Sequence, residues 1–320
     1  MKAAETIHIA AFYHFGPVPS HSLERLAERL ENAGVDRGLK GLIIFASEGM
    51  NGTVAGRDRT SVLAWLNLAS ETLGFPDFQP KWSEANDWPF RKFKIRLREE
   101  IVTLGKPEVQ PLPPKSTTHL SPEEWNRTME QDDCVVLDTR NWYETRIGTF
   151  KGAIDPKLNE FHEFDEYLEA SDLPREKKVL IFCTGGIRCE KAIVEMKSHG
   201  FENVFQLDGG ILNYLEKFPN RNFEGECFVF DNRVAVDQEL KPSVQYTLCP
   251  HCGQPADQVL TCLHCDGEAK VCVTCVDERD RNTCSKNCAN HHRLAPNKKG
   301  RGQGRNYRFL STTRRPPGSD

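Results

Sequence analysis

The sequence predicts a multi-domain α/β protein: an α+β domain, then a parallel α/β domain, then a small module stapled by metal. Three observations carry this. A chain of 320 residues exceeds one ordinary domain. Strand-like and helix-like segments alternate as far as Phe218. Eight of the 12 cysteines then fall between Cys249 and Cys288, and a hydrophobic content of 38% is low for a chain built only of compact cores.

In the first segment, Ile7 to Tyr13 reads as a strand. His21 to Ala33 has helical spacing through Leu23, Leu26, Ala27 and Leu30, with Ser20 or Ser22 as its cap and Gly34 as its end. Gly41 to Ala46 is a buried strand, and the chain is expected to turn through Asn51-Gly52 into another, Thr53-Val54-Ala55. A helix from Arg59 to about Leu73 precedes a last strand, Lys92 to Leu97. The order β-α-β-β-α-β is that of a ferredoxin-like sheet, assigned to residues 1–103. Pro107, Pro111, Pro113 and Pro114 mark residues 104–116 as an extended linker.

Residues 117–226 have a different rhythm. Ser121-Pro122-Glu123-Glu124 opens a helix with a hydroxyl cap and a proline at its first position. Strands are expected at Cys134 to Leu137, Lys178 to Phe182 and Val204 to Leu207, with helices at His162 to Ala170, Cys189 to His199 and Ile211 to Phe218. Such alternation implies a parallel sheet covered on both faces.

The chemistry concentrates at the end of the second of these strands. Val179-Leu180-Ile181-Phe182 delivers Cys183 into a short loop, Thr184-Gly185-Gly186-Ile187-Arg188, before the helix expected from Cys189. Gly185 and Gly186 permit positive φ and expose backbone N–H groups, which with a helix N-terminus form an anion nest. The same field favours thiolate over thiol. Arg188 is expected as a fixed charge at the rim. A lone strand-end cysteine would simply pack; the glycines, the arginine and the strand-loop-helix setting together point to a reactive thiol.

This loop resembles the rhodanese active site. Val136-Leu137-Asp138-Thr139-Arg140 with Glu144 and Ile147 to Ala153 is similar to the rhodanese entry motif, and Leu207-Asp208-Gly209-Gly210-Ile211 to its closing motif. Cysteine phosphatases of the Cdc25 type place five residues between cysteine and arginine; here there are four, the spacing of sulfur-handling members. Cys189 reads either as a resolving thiol or as an inert residue of the first helical turn. Asp138 and Arg140 read as loop support through an internal ion pair.

The longer string Cys183 to Lys191, together with Ser47-Glu48-Gly49-Met50-Asn51-Gly52-Thr53-Val54-Ala55-Gly56, resembles the oxygen-dependent tRNA uridine hydroxylases. Those proteins join an acylphosphatase-like domain, a rhodanese domain and a Cys-rich region. The resemblance implies 5-hydroxylation of the wobble uridine of tRNA, with molecular oxygen as co-substrate, an unidentified reductant and an unidentified sulfur or electron donor protein. No flavin or nicotinamide fingerprint and no two-His-one-carboxylate iron spacing is present. The Glu48 to Gly56 stretch reads equally as a structural hairpin or an RNA-contacting loop.

In residues 227–292, Cys249/Cys252, Cys262/Cys265 and Cys272/Cys275 form C-x2-C knuckles, followed by Cys284 and Cys288. These eight thiolates suffice for two structural zinc ions, paired sequentially or interleaved, with an iron–sulfur cluster as the minority alternative. His251, His264, His291 and His292 stand by as substitute ligands. Residues 293–320 carry eight Lys/Arg against one acid and read as a disordered basic tail, with Tyr307 and Phe309 suited to stacking on RNA. Trp82 and Trp88 with Lys81, Arg91, Lys92, Lys94, Arg96 and Arg98 form a second candidate RNA patch. Neither a secretory signal nor a membrane-length apolar run is evident, so a reducing cytoplasm is expected.

Three functions fit these residues. The first is tRNA hydroxylation by a Cys183-centred enzyme. The second is sulfur transfer from thiosulfate or a protein persulfide. The third is a binding adaptor for RNA or protein with a vestigial loop, against which the intact Cys-Gly-Gly-Arg pattern argues.

Overall fold

The computed structural model describes residues 5–112, 117–278 and 281–294. Its chain forms two compact units. The first runs to Val229 and takes back Ala235–Pro242; the second comprises Phe230–Val234 and the chain from Ser243.

The first unit opens with a five-stranded sheet in the order β4-β1-β3-β2-β5, where β1 is Ile7–Phe15, β2 Lys40–Ala46, β3 Gly49–Gly56, β4 Lys81–Ala85 and β5 Phe93–Leu97. Helices α1 (Leu23–Asp36) and α2 (Arg59–Leu73) pack on one face around Phe12, Ile43, Phe45, Val54, Trp65 and Phe93. The Asp58 side chain accepts the Ser61 N–H at 2.7 Å to start α2, and Gly74 in the left-handed region ends it.

The ferredoxin-like order holds, but Lys81–Ala85 completes it, pairing antiparallel with β1. Phe93–Leu97 is a fifth strand, parallel to β2 at the opposite edge. Asn51-Gly52 is not a turn. It lies inside β3, opposite Ile44 and Ile43, where a Cβ on Gly52 would meet the Leu42 carbonyl at 2.8 Å. Nor does Gly34 end α1. The helix continues to Asp36, and Gly34 is bare because a Cβ there would lie 2.5 Å from the Phe93 ring.

The second sheet is parallel, in the order β6-β10-β9-β7, with β6 His119–Leu120, β7 Cys134–Asp138, β9 Lys178–Phe182 and β10 Val204–Leu207. Between its strands run α3 (Pro122–Met129), α4 (Trp142–Thr145), β8 (Gly148–Phe150), α5 (Phe164–Ala170), α6 (Ile187–Ser198) and α7 (Gly210–Lys217). Ser121 and Glu124 close a capping box at the start of α3. One face packs Leu137, Ile181, Phe164 and Ile193; the other packs Trp125, Phe150, Phe182 and Tyr214. Strand β8 pairs with β11 (Phe223–Gly225), and β12 (Cys227–Phe228) with β13 (Ala235–Val236), so the chain stays with this unit past residue 227.

The expected linker is anchored where it is described. Leu104 is buried among residues of the parallel-sheet core, and Lys106 pairs with Asp165 at 2.8 Å and Glu195 at 2.7 Å. Pro113 and Pro114 lie outside the described residues, as does the basic tail beyond Leu294 with Tyr307 and Phe309.

The second unit has two hairpins, β14 (Thr247–Leu248) with β15 (Pro255–Ala256) and β16 (Gln258–Thr261) with β17 (Glu268–Val271), followed by α8 (Val273–Val276) and α9 (Lys286–Leu294). Among the described residues no helix is long and apolar enough to cross a membrane.

Candidate active site

Strand β9, apolar throughout from Val179, ends by placing Cys183 beneath a loop that turns at Gly186, φ 101°. Helix α6 begins at Ile187, two residues earlier than its spacing implied, so Arg188 and Cys189 both lie in its first turn. The Gly186 N–H donates to Cys183 Sγ at 3.1 Å. A second helix end meets the loop from the side. The Ile211 and Leu212 amides of α7 donate to the Cys183 and Thr184 carbonyls at 3.0 and 3.1 Å. Gly210 must be glycine here, because its φ is 67° and a Cβ would lie 2.5 Å from the Cys183 carbonyl oxygen. Gly185 is the open part of the loop, with nothing within 4 Å of the position a Cβ would take.

Cys183 is 0% exposed. Burial raises its pKa, but the Cys189 thiol, the Arg188 guanidinium and the amides of Arg188 and Cys189 outweigh that and bring it to about 6. Cys189, buried beside it and 3.7 Å from Thr139 Oγ1, is pushed well above its ordinary value by burial and by the Cys183 thiolate. The pair thus divides into one thiolate and one thiol donor.

Arg188 is not at the rim. It is 6% exposed, and its two terminal nitrogens grip Glu144 Oε1 and Oε2 at 2.6 and 2.8 Å. A bidentate carboxylate this close neutralises the guanidinium, so anion binding at the loop falls chiefly to the backbone amides. Glu144 reaches this position from the first turn of α4, where its carboxylate also accepts the N–H of Asn141 at 3.2 Å. Asp138 and Arg140 form a buried ion pair at 2.7 Å, and Arg140 also donates to the Gly148 carbonyl at 2.6 Å, tying β7 to β8 beneath the loop. Thr184 lies 3.4 Å from Glu144, and Ile187 opens the helix.

The two family-like strings meet in space. Lys191, fully buried on α6, reaches Glu48 at 2.8 Å and Glu100 at 2.6 Å, while Tyr13 of β1 donates to Glu190 at 2.8 Å. Glu190 also accepts from Gln206 at 3.1 Å and faces His119 at 3.2 Å. Of the two readings of the Glu48 stretch, the structural hairpin holds: its turn joins β2 to the antiparallel β3, and the buried Glu48 docks it onto α6. Tyr13 was not legible as a site residue. The available signal was its place on the alternating face of β1 opposite Phe12, together with the Glu190-Lys191 pair that extends the loop string.

The proposed basic patch divides. Lys81 sits on edge strand β4, whereas Lys94 and Arg96 sit on β5 at the other edge, and Lys94 pairs with Glu31 at 3.0 Å. Arg59 stacks over Trp82 and Lys40 over Trp88, each at 4.2 Å.

In the second unit the cysteines gather into two tetrads, Cys249/Cys252/Cys272/Cys275 and Cys262/Cys265/Cys284/Cys288, with sulfurs all within 4.8 Å of one another. The pairing is interleaved. Four convergent thiolates are the donor set of a closed, structural metal site. The neighbouring histidines stay outside these tetrads: His251 bonds the Thr283 carbonyl at 2.8 Å, and His264 stacks on His291.

The chain matches three family descriptions: UPF0176 acylphosphatase like domain over residues 7–101, Rhodanese-like domain over residues 121–217, and Rhodanase C-terminal over residues 224–289. Among its relatives, the tRNA uridine(34) hydroxylase of Bdellovibrio bacteriovorus is 48% identical over 305 residues, covering 95% of this chain and 86% of that protein. Proteins of the same name from Rhizobium leguminosarum and Synechocystis are 43% and 42% identical, each over 77% of this chain and over 79% and 88% of their own lengths.

Proposed function

The chain belongs to the tRNA uridine(34) hydroxylase family, and on that basis we propose that it hydroxylates uridine 34 of tRNA with Cys183 at the reacting centre. The observation that carries the reading is the match at 48% identity over 95% of the chain to a protein of that name. Support for Cys183 comes from its geometry: a buried sulfur on a helix N-terminus, held as thiolate near neutral pH. The Gly186, Arg188 and Cys189 amides form its anion pocket, and the Arg188–Glu144 and Arg140–Asp138 pairs brace it. Hydroxylation at C5 inserts one oxygen atom of dioxygen and releases the other as water, which takes two electrons from an external reductant. The thiols of Cys183 and Cys189 are the redox-capable groups at the loop, and a sulfenic acid on Cys183 would condense with the Cys189 thiol to a disulfide and one water. The disulfide would return to two thiols with two electrons and two protons from the external reductant.

The two tetrads fit zinc, whose ions would fold the second unit without an open coordination position. A cytoplasmic site of action agrees with thiols kept reduced and with tRNA as the partner. The same amide-lined pocket suits a persulfide, which keeps sulfur transfer as the second reading.

Nucleoside mass spectrometry of tRNA from cells lacking the chain, in which no parallel pathway operates, tests the proposal. Loss of 5-hydroxyuridine derivatives from position 34 is expected. Unchanged hydroxylation contradicts it, and loss of a thiolated nucleoside instead establishes sulfur transfer.

A further inference from the structure

The first sheet brings one cation of the divided basic patch, Lys81, to the Cys183 loop. Along β4 the alternation sends Trp82 to the helix-side core beneath Arg59 and Lys81 to the opposite face. There the Lys81 ammonium lies 5.2 Å from the centre of the Tyr13 ring. Tyr13 in turn closes against the loop: a Cβ on Gly186 would lie 3.0 Å from its hydroxyl. The other cations packed here are matched, Arg188 by Glu144, Arg140 by Asp138 and Lys191 by Glu48 and Glu100. Lys81 has the Tyr13 ring, and among the described residues no ion pair includes it. It is half-buried; desolvation lowers its pKa, against the pull of Asp208, Cys183 and Glu190, whose charges it feels.

We propose that Lys81 is a substrate-binding residue that holds a backbone phosphate of the tRNA strand next to the target nucleotide, so that the first sheet positions RNA at the Cys183 loop. This rests on the tRNA reading above. A polyanion that must present one base to a thiolate meets repulsion from the sulfur, Glu190 and Asp208, and an unmatched ammonium beside them supplies the compensating charge. A lysine engages phosphate as a point charge without needing the planar fork of an arginine. Arg188 and Arg140 are buried and committed to carboxylates, so neither can take this contact.

The test is binding of unmodified tRNA to the full chain over a salt series, for wild type, Lys81→Gln and Lys81→Arg. Lys81→Gln should weaken binding about tenfold and reduce the slope of log affinity against log salt by about 0.7 to 0.9, the share of one phosphate contact. Lys81→Arg should keep the wild-type slope. Lys81→Met, which retains the apolar stem over Tyr13, gives the same readout should glutamine disturb the packing. An unchanged slope in Lys81→Gln and Lys81→Met, with wild type binding tRNA, overturns the proposal, as does equal loss in Lys81→Arg. Failure of the wild-type chain itself to bind tRNA overturns the tRNA reading, and the proposal with it.

Discussion

At Cys183 burial and charge act in opposite directions, and charge prevails. Desolvation favours the neutral thiol; the Cys189 thiol, Arg188 and the first amides of α6 favour the anion, bringing the pKa to about 6. Because the thiolate is the reactive form, thiolate absorbance should rise with a midpoint near 6, and the rate of a Cys183-dependent step should fall about tenfold per unit below it. A midpoint near that of an ordinary cysteine would contradict this account of the loop. The stability contributed by the depressed pKa runs the same way: it is complete above the unfolded thiol's value and is lost as the pH falls through about 6. Arg188 carries a different expectation. Glu144→Ala would strand its guanidinium in the interior, at a cost of about 3 to 5 kcal/mol measured by denaturant unfolding. Cys183, its glycines and the Asp138–Arg140 pair were legible in the sequence because each belongs to one continuous local pattern. Glu144 as the partner of Arg188 was not, since 44 residues separate them and only the parallel sheet brings them together. That pairing is also why Arg188 is buried rather than at the rim.

At the scale of elements, the joint between β2–β3 and α6 decides how the first sheet meets the loop. Lys191 is 0% exposed between Glu48 and Glu100, so each of the three charges depends on the others. Lys191→Met should destabilise the chain by about 3 to 5 kcal/mol. In a double-mutant cycle Glu48→Gln should recover more than about 1 kcal/mol of that loss. Additive losses would show that the two side chains do not act together. The strands of the first sheet were only partly legible. Asn51-Gly52 imitates hairpin chemistry, but tertiary pairing on both sides of β3 holds it extended. Lys81–Ala85, of sequence KWSEA, lacks the β-branched residues that signal a strand and is specified instead by its pairing with β1.

Across the whole molecule, two kinds of scaffold share the chain: a unit with extensive apolar cores and a unit whose cysteine tetrads stand in for one. The purified protein should contain two zinc ions by metal analysis, and Cys252→Ser, which breaks one tetrad, should lower the content to about one. Iron in place of zinc would contradict the structural role and indicate a redox centre. The C-x2-C knuckles were visible as spacing, but their interleaving was not, because spacing is silent about which knuckles fold together. The central claim is that uridine hydroxylation passes through the Cys183 sulfur, and its most direct test is rescue of cells lacking the chain by wild type, Cys183→Ser or Cys189→Ser, read as 5-hydroxyuridine at position 34. Wild type should restore the nucleoside and Cys183→Ser should leave it absent although the variant is folded and binds tRNA. Full restoration by Cys183→Ser would contradict the account.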